Sequence, residues 1–252
     1  LMVYLADKMA KSEQAFAVSS GLTGVLNEQV PLPAGRRWAV MHNMVSSRFG
    51  AQGSCPIRYA RSGQSPVLLS IAGLQPHKGH HHLLRALRLA RDAGTCLNLR
   101  IGGSGPKEST LKSLADELGL HDQVTFLGHC SREQVAHEMA AADAFVLPSS
   151  HETFGVVVIE ALMSGKPVLS TRCGGPEDII VEGRDGYLVD KDDPTALCSG
   201  LLRLAAELER FDPQDLRQRC IERFSESAFA SRHEQAYLAI MAESTQPVTA
   251  CT

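Results

Sequence analysis

Two glutamates eight positions apart, Glu152 and Glu160 in PSSHETFGVVVIEALMSGKPV, are the side chains whose placement calls most strongly for a ligand. Glu160 stands within VVVIEALM, and a carboxylate on so apolar a helix is costly if buried without hydrogen-bond partners. Hydroxyls of a sugar or a ribose are suitable donors to it. The free amides at the helix start, Gly155, Val156 and Val157, are suitable donors to a phosphate. Together these groups would cradle a nucleotide sugar. A plainer reading makes Glu160 a helix-surface residue and Glu152 a helix cap.

Three other segments follow strands, and in open parallel sheets ligands lie in the crevice at the strands' carboxyl ends. GLQPHKGH (73–80) puts Lys78 just before a helix, where a cation faces the positive end of the helix dipole. A phosphate between them would satisfy both, and an exposed, flexible lysine would need none. GGSGP (102–106) carries Gly103, whose backbone can approach a ligand closely, and RCGGPEDII (172–180) adds further backbone donors. Pro106 breaks the GxGxxG spacing of a dinucleotide fingerprint, and the next strand ends in Leu127-Gly128-His129 instead of an acid. Lys166 in SGKP is followed by proline, which excludes a Walker A loop. His77, His80, His81 and His82 crowd one loop, yet no second cluster completes a metal site, so no metal is expected.

Short apolar runs alternate with amphipathic segments from 66 to 190, the pattern of repeated βαβ units. Strands are expected at 67–72, 97–101, 123–127, 144–147, 167–171 and 187–189, with helices at 79–92, 107–118, 131–141, 155–164 and 176–182. These make an α/β, Rossmann-like domain, a parallel six-stranded sheet with helices on both faces. Gly-Pro at 105–106 and 175–176 predicts a proline in the first helical position at each. After Asp193-Pro194 the pattern is helical, at 194–208, 213–223 and 227–241. Residues 1–49 offer a helix, a strand (15–19), a helix and a strand (38–42), too little core to stand alone, and Leu1 lies within what reads as a running helix. The expected division is therefore 1–49 as the end of an upstream domain, 50–65 as a linker, 66–212 as the main domain and 213–252 as helices crossing back, ending in a frayed tail. Such helices should leave an apolar patch exposed.

Twenty-five Lys and Arg against 28 Asp and Glu give a net charge of −3, which offers no bulk attraction for nucleic acid. No run approaches a membrane span and the first residues lack a signal peptide's form, so the expected location is cytoplasmic. Seven widely spaced cysteines read as reduced thiols.

With these residues in view, the chain resembles the C-terminal half of a family 4 glycosyltransferase, a retaining enzyme of the GT-B fold. AFAVSSGLTGVL (15–26), VMHNMVSSRF (40–49), the Glu152-x7-Glu160 pair and the stretch from LGHCSREQ to GGPEDIIVEGRDGYLVDKDDP carry the likeness. The resemblance implies transfer of a hexose from a nucleotide-diphosphate sugar to a glycan, lipid or small-molecule acceptor, in carbohydrate biosynthesis. It implies that residues 1–49 are the remnant of a second Rossmann-like, acceptor-binding domain, and that the missing part could bring the protein to the cytoplasmic face of a membrane. Lys78 would bind the donor diphosphate and Glu152 the donor sugar beside the reacting carbon, the two catalytic positions. Glu160 would take the ribose hydroxyls, amides from Phe154 to Val157 the phosphates, and the turn Gly128-His129-Cys130 would edge the base, with Gly103 a further donor-binding position. No metal would be required, so Asp190-Lys191-Asp192 reads as a solvated turn, with Asp193 capping a helix, and not as the DxD metal site of the other large glycosyltransferase fold. Gly73 stands where the family usually has a diphosphate-binding arginine. A non-catalytic nucleotide-sugar module and a GT-B epimerase remain as alternatives, and the chain alone is expected to be inactive.

Overall fold

The computed structural model describes residues 14–30, 32, 36–51 and 65–244. Near the start, strand β1 (Ala15–Ala17) pairs in parallel with β2 (Trp38–Val40) through the crossover helix α1 (Ser20–Gln29). Helix α1 begins where it does because Ser19 is extended and its hydroxyl accepts from the Leu22 amide at 3.2 Å. This cap also ends β1 two residues before the expected 19. Ala15, Ala17, Val30 and Trp38 form a small core of their own, and the indole Nε1 donates to the Val30 carbonyl at 3.2 Å. Short helix α2 (Arg48–Ala51) runs into the expected linker; the expected first helix, within residues 1–13, and linker residues 52–64 lie outside the described residues.

The main sheet holds β3 (Val67–Ile71), β4 (Asn98–Gly102), β5 (Val124–Gly128), β6 (Ala144–Leu147), β7 (Val168–Thr171) and β8 (Gly186–Val189), all parallel, in the order β5-β4-β3-β6-β7-β8. Every residue of β6 and β7 is buried, as central parallel strands covered on both faces must be. Helices α3 (His80–Asp92), α4 (Glu108–Glu117), α5 (Arg132–Ala141), α6 (Val156–Met163), α7 (Pro176–Ile179) and α8 (Pro194–Ala206) connect and cover the strands. Strand order runs one way from β3 to β5 and the other way from β6 to β8, so right-handed crossovers put α3 and α4 on one face and α6 and α7 on the other. The order reverses between β3 and β6, which is where open α/β sheets bind ligands.

Several helix boundaries differ from expectation, among them α8, which ends at Ala206, and the last helix, which reaches Ser244, and two of the differences have a clear cause. Pro106 is not in the first helical position. The amide of Lys107 donates to the Leu74 carbonyl at 3.1 Å and that of Glu108 to the Gly105 carbonyl at 3.1 Å, so residues 105–108 make a turn and α4 starts at Glu108. Helix α7 ends at Ile179 instead of 182, because the Val181 amide is taken by the Asp185 carboxylate at 2.9 Å. Pro176 and Asp193 do perform the helix-start roles assigned to them. Asp185 is 1% exposed and also accepts from Arg219 Nε at 3.0 Å and Arg223 Nη1 at 3.4 Å, both on α9 (Pro213–Phe224). Leu216, Cys220 and Phe224 of α9 are buried against the sheet domain, and α10 (Glu226–Ser244) follows with Tyr237 and Leu238 exposed.

Candidate functional site

Lys78 ends a single 3-10 turn, Pro76–Lys78, after β3, and Gly79 begins α3 at φ +68°. A Cβ at Gly79 would lie 1.8 Å from the Pro148 carbonyl oxygen, so only glycine lets this loop press against the one after β6. Across that contact Ser150 donates its amide to the His77 carbonyl at 2.8 Å. The Lys78 ammonium donates to Glu152 Oε1 at 2.7 Å, and both side chains are largely buried. Ser149 Oγ donates to the same oxygen at 2.8 Å. Among the described residues nothing donates to Oε2, which keeps that acceptor open. The backbone of Glu152 is pinned to the loop after β7, accepting from Gly175 at 3.0 Å and donating to Cys173 at 2.9 Å.

Glu152 does not cap α6, whose N-cap is Gly155 with no side-chain bond. The first amides of α6 have no acceptor within the helix. Val156 is 41% exposed, so that end is open to solvent. Phe154 contributes its amide to this stretch while its ring is buried between His42 and Phe224, at centroid distances of 5.5 and 6.0 Å. Glu160, one turn on, is half-buried, and no described residue hydrogen-bonds its carboxylate. Burial pushes its acid up to about 7, with Arg132 only partly opposing. A carboxylate desolvated to this degree is an acceptor in search of donors.

The second loop joins the turn after β5, where the Gly103 amide donates to the Gly128 carbonyl at 2.7 Å. Gly103 has φ +130°, and a Cβ there would come within 1.9 Å of the Ala72 carbonyl oxygen. His129 is exposed beside this turn. The structure therefore gathers Lys78 and Glu152 in direct contact at the β3/β6 switch point, with α6 beside them and the Gly103–Gly128 pair bordering the same strand ends. Gly73 has ordinary φ, and a Cβ placed on it meets nothing within 4 Å.

Residues 57–225 match the family model of glycosyl transferases group 1. The chain belongs to this family. Among curated relatives of this group 1 chain, the D-inositol 3-phosphate glycosyltransferase of Corynebacterium urealyticum is 35% identical over 148 residues, 56% of this chain and 35% of the relative. The N-acetyl-alpha-D-glucosaminyl L-malate synthase of Bacillus anthracis is 32% identical over 186 residues, 73% of this chain and 48% of the relative. The chain thus spans between a third and a half of the length of these relatives. A crystal structure of Anabaena Alr3699/HepE in complex with UDP-glucose superimposes with a TM-score of 0.76 at 20% identity, covering 94% of this chain and 67% of that one. The architecture is that of the GT-B glycosyltransferases.

Several residues of this group 1 chain carry weight that sequence patterns did not assign them. Asp178, in the first turn of α7, accepts from the Ser20 amide at 2.5 Å, from the Ser20 hydroxyl and from His42 Nε2 at 3.3 Å. Ser19 Oγ donates to the Thr153 carbonyl at 2.5 Å. The N-terminal segment is thereby fastened to the loop that carries Glu152 and to helix α7. Ser149 was invisible because a serine between strand and loop has no distinguishing spacing. Asp192 accepts from Ser150 Oγ and faces His82 Nε2 at 3.5 Å, while Lys191 donates to the Ser150 carbonyl at 3.3 Å, so the turn after β8 is bound into the same loop cluster instead of being merely solvated. Among the described residues no group of three or more His, Cys, Asp or Glu could hold a metal ion, and no helix is long and apolar enough to cross a membrane.

Proposed function

We propose that this chain is the donor-binding part of a retaining glycosyltransferase that moves a sugar from a nucleotide-diphosphate sugar to a hydroxyl acceptor. The observation that carries this reading is the Lys78–Glu152 contact at 2.7 Å beside the open amide end of α6. Lys78 and the amides from Phe154 to Val157 hold the diphosphate, Glu152 Oε2 takes hydroxyls of the donor sugar, and Glu160 takes the ribose hydroxyls. Gly103, Gly128 and His129 border the base. The bond from the anomeric carbon to the diphosphate oxygen breaks, and the acceptor oxygen bonds to the same face of that carbon. The acceptor's proton passes to the departing diphosphate, whose charge the ammonium and amides stabilise without a metal. The UDP-glucose held by the Anabaena HepE structure of like fold supports this substrate class.

In this reading residues 1–49 belong to an acceptor domain, 50–65 link it to the donor domain at 66–212, and 213–252 return toward the first; the protein works in the cytoplasm. Thermal melts with UDP-, GDP- and ADP-sugars test it. A donor at about 100 times its Kd adds about 2.7 kcal/mol of stability, and Glu160→Ala should abolish the shift. No shift from any donor counts against the site. The open position at Gly73 favours one second reading, a module that binds donors without turning them over; donor binding in the complete protein with neither transfer nor hydrolysis selects it.

A further inference from the structure

The backbone of Glu152 is clamped by the loop after β7: Gly174 has φ +119°, and a Cβ on it would lie 2.8 Å from the Glu152 carbonyl oxygen. Several rotatable bonds still separate that backbone from the carboxylate, so other contacts must decide which oxygen is left for a ligand. Two donors do so, and both act on Oε1: Lys78 Nζ at 2.7 Å and Ser149 Oγ at 2.8 Å. They differ in what else they can reach. The Lys78 side chain is 21% exposed, and its ammonium, with three donors, can turn to an incoming phosphate. Ser149 is 0% exposed, so a ligand in the crevice has no surface of it to touch, and among the described residues its hydroxyl bonds only to Glu152. The Ser149 carbonyl accepts from the hydroxyl of Thr171, buried at the end of β7, which ties the serine to the sheet on its other side.

A carboxylate with one oxygen occupied keeps the other as its free acceptor. When a diphosphate draws the ammonium away, the serine hydroxyl is the donor that remains on Oε1, and without it the carboxylate is free to rotate. We propose, resting on the donor-site reading above, that Ser149 is a positioning residue which acts through Glu152: by holding Oε1 it keeps Oε2 presented to hydroxyls of the donor sugar. Its contribution is confined to the sugar half of the donor, because the nucleoside diphosphate half is held by Lys78, the α6 amides and Glu160, none of which Ser149 touches. A serine that served only the packing of the loop would instead weaken both halves together.

Calorimetric titration of the full chain with UDP, GDP and ADP, and with UDP-glucose, UDP-N-acetylglucosamine, GDP-mannose and ADP-glucose, tests this through one ratio, the Kd of a sugar-bearing donor over that of its bare nucleoside diphosphate. For the donor that binds, Ser149→Ala should raise the ratio about three- to tenfold, the worth of one ordinary hydrogen bond, while affinity for the bare diphosphate and the melting temperature move little. Ser149→Cys, close in size and a weak donor, should raise it in the same direction by less. In a Glu152→Ala chain the further change Ser149→Ala should leave the ratio where it is, since the group it acts through is gone. A ratio unmoved by Ser149→Ala overturns the positioning role, as do equal losses for donor and diphosphate or an effect of full size in the Glu152→Ala chain. If neither a diphosphate nor a donor binds the unaltered chain, the donor-site reading falls and this role with it; binding of both with a ratio indifferent to Ser149 removes this role alone.

Discussion

The Lys78 ammonium lies 2.7 Å from Oε1 of Glu152, a residue 74 positions later in the chain. Each is the other's charge partner, and a diphosphate bound there would compete with Glu152 for the ammonium. Lys78→Ala removes one charge-assisted bond to the diphosphate, about 1.5–3 kcal/mol, and should weaken nucleoside diphosphate affinity ~10- to 150-fold. Calorimetry on the variant measures this, and an unchanged affinity means the lysine serves only Glu152.

Glu160 should make stability depend on pH. Its acid is raised by burial to about 7 in the folded chain from an ordinary 4.5, so the native state holds more protons than the unfolded one between these values. The stabilisation is complete below about 4.5 and is lost as pH rises through about 7. Glu160→Gln should remove that slope and raise stability at pH 8 by on the order of 2 kcal/mol, read from urea melts across the window. The same variant should bind donor more weakly, separating stability from function.

Gly73→Arg should fit, since nothing lies within 4 Å of a Cβ there and φ is ordinary. If the side chain reaches the diphosphate, donor affinity rises by about 1.5–3 kcal/mol with no loss of melting temperature. A drop in stability would show that the loop cannot carry the longer side chain.

Asp185 is a buried charge held by two arginines of α9 and the Val181 amide. Asp185→Ala leaves Arg219 and Arg223 facing no carboxylate there, and should cost about 3–5 kcal/mol in urea unfolding. A loss under 1 kcal/mol, on the order of a surface pair, would show that the arginines find other acceptors.

Asp178→Ala should release Ser20 and His42 while the main sheet stays intact. Amide exchange at β1 and β2 should then quicken well before exchange at β6 and β7 changes. Parallel changes throughout would show one cooperative unit.

The local order of this chain was written in its sequence. Each of the six main strands appears within one residue of its expected bounds at either end, because a run such as AFVL can only be satisfied buried on both faces, and the proline-aspartate pair at 193–194 starts α8 by short-range chemistry alone. The loops that carry Lys78, Glu152 and the α6 amides were legible for the same reason: strand ends and glycines are local signals. What tertiary structure decided was pairing at distance. Asp178, in the first turn of α7, anchors Ser20, 158 positions earlier, and Asp185 is the buried partner of α9, roles that no local pattern around either residue marks. Pro106 looked like a helix start until Leu74 claimed the next amide. Periodicity reports which face of an element is apolar, but a carboxylate or an amide takes whichever partner the folded chain brings within about 3 Å, and only the packed sheet sets that distance.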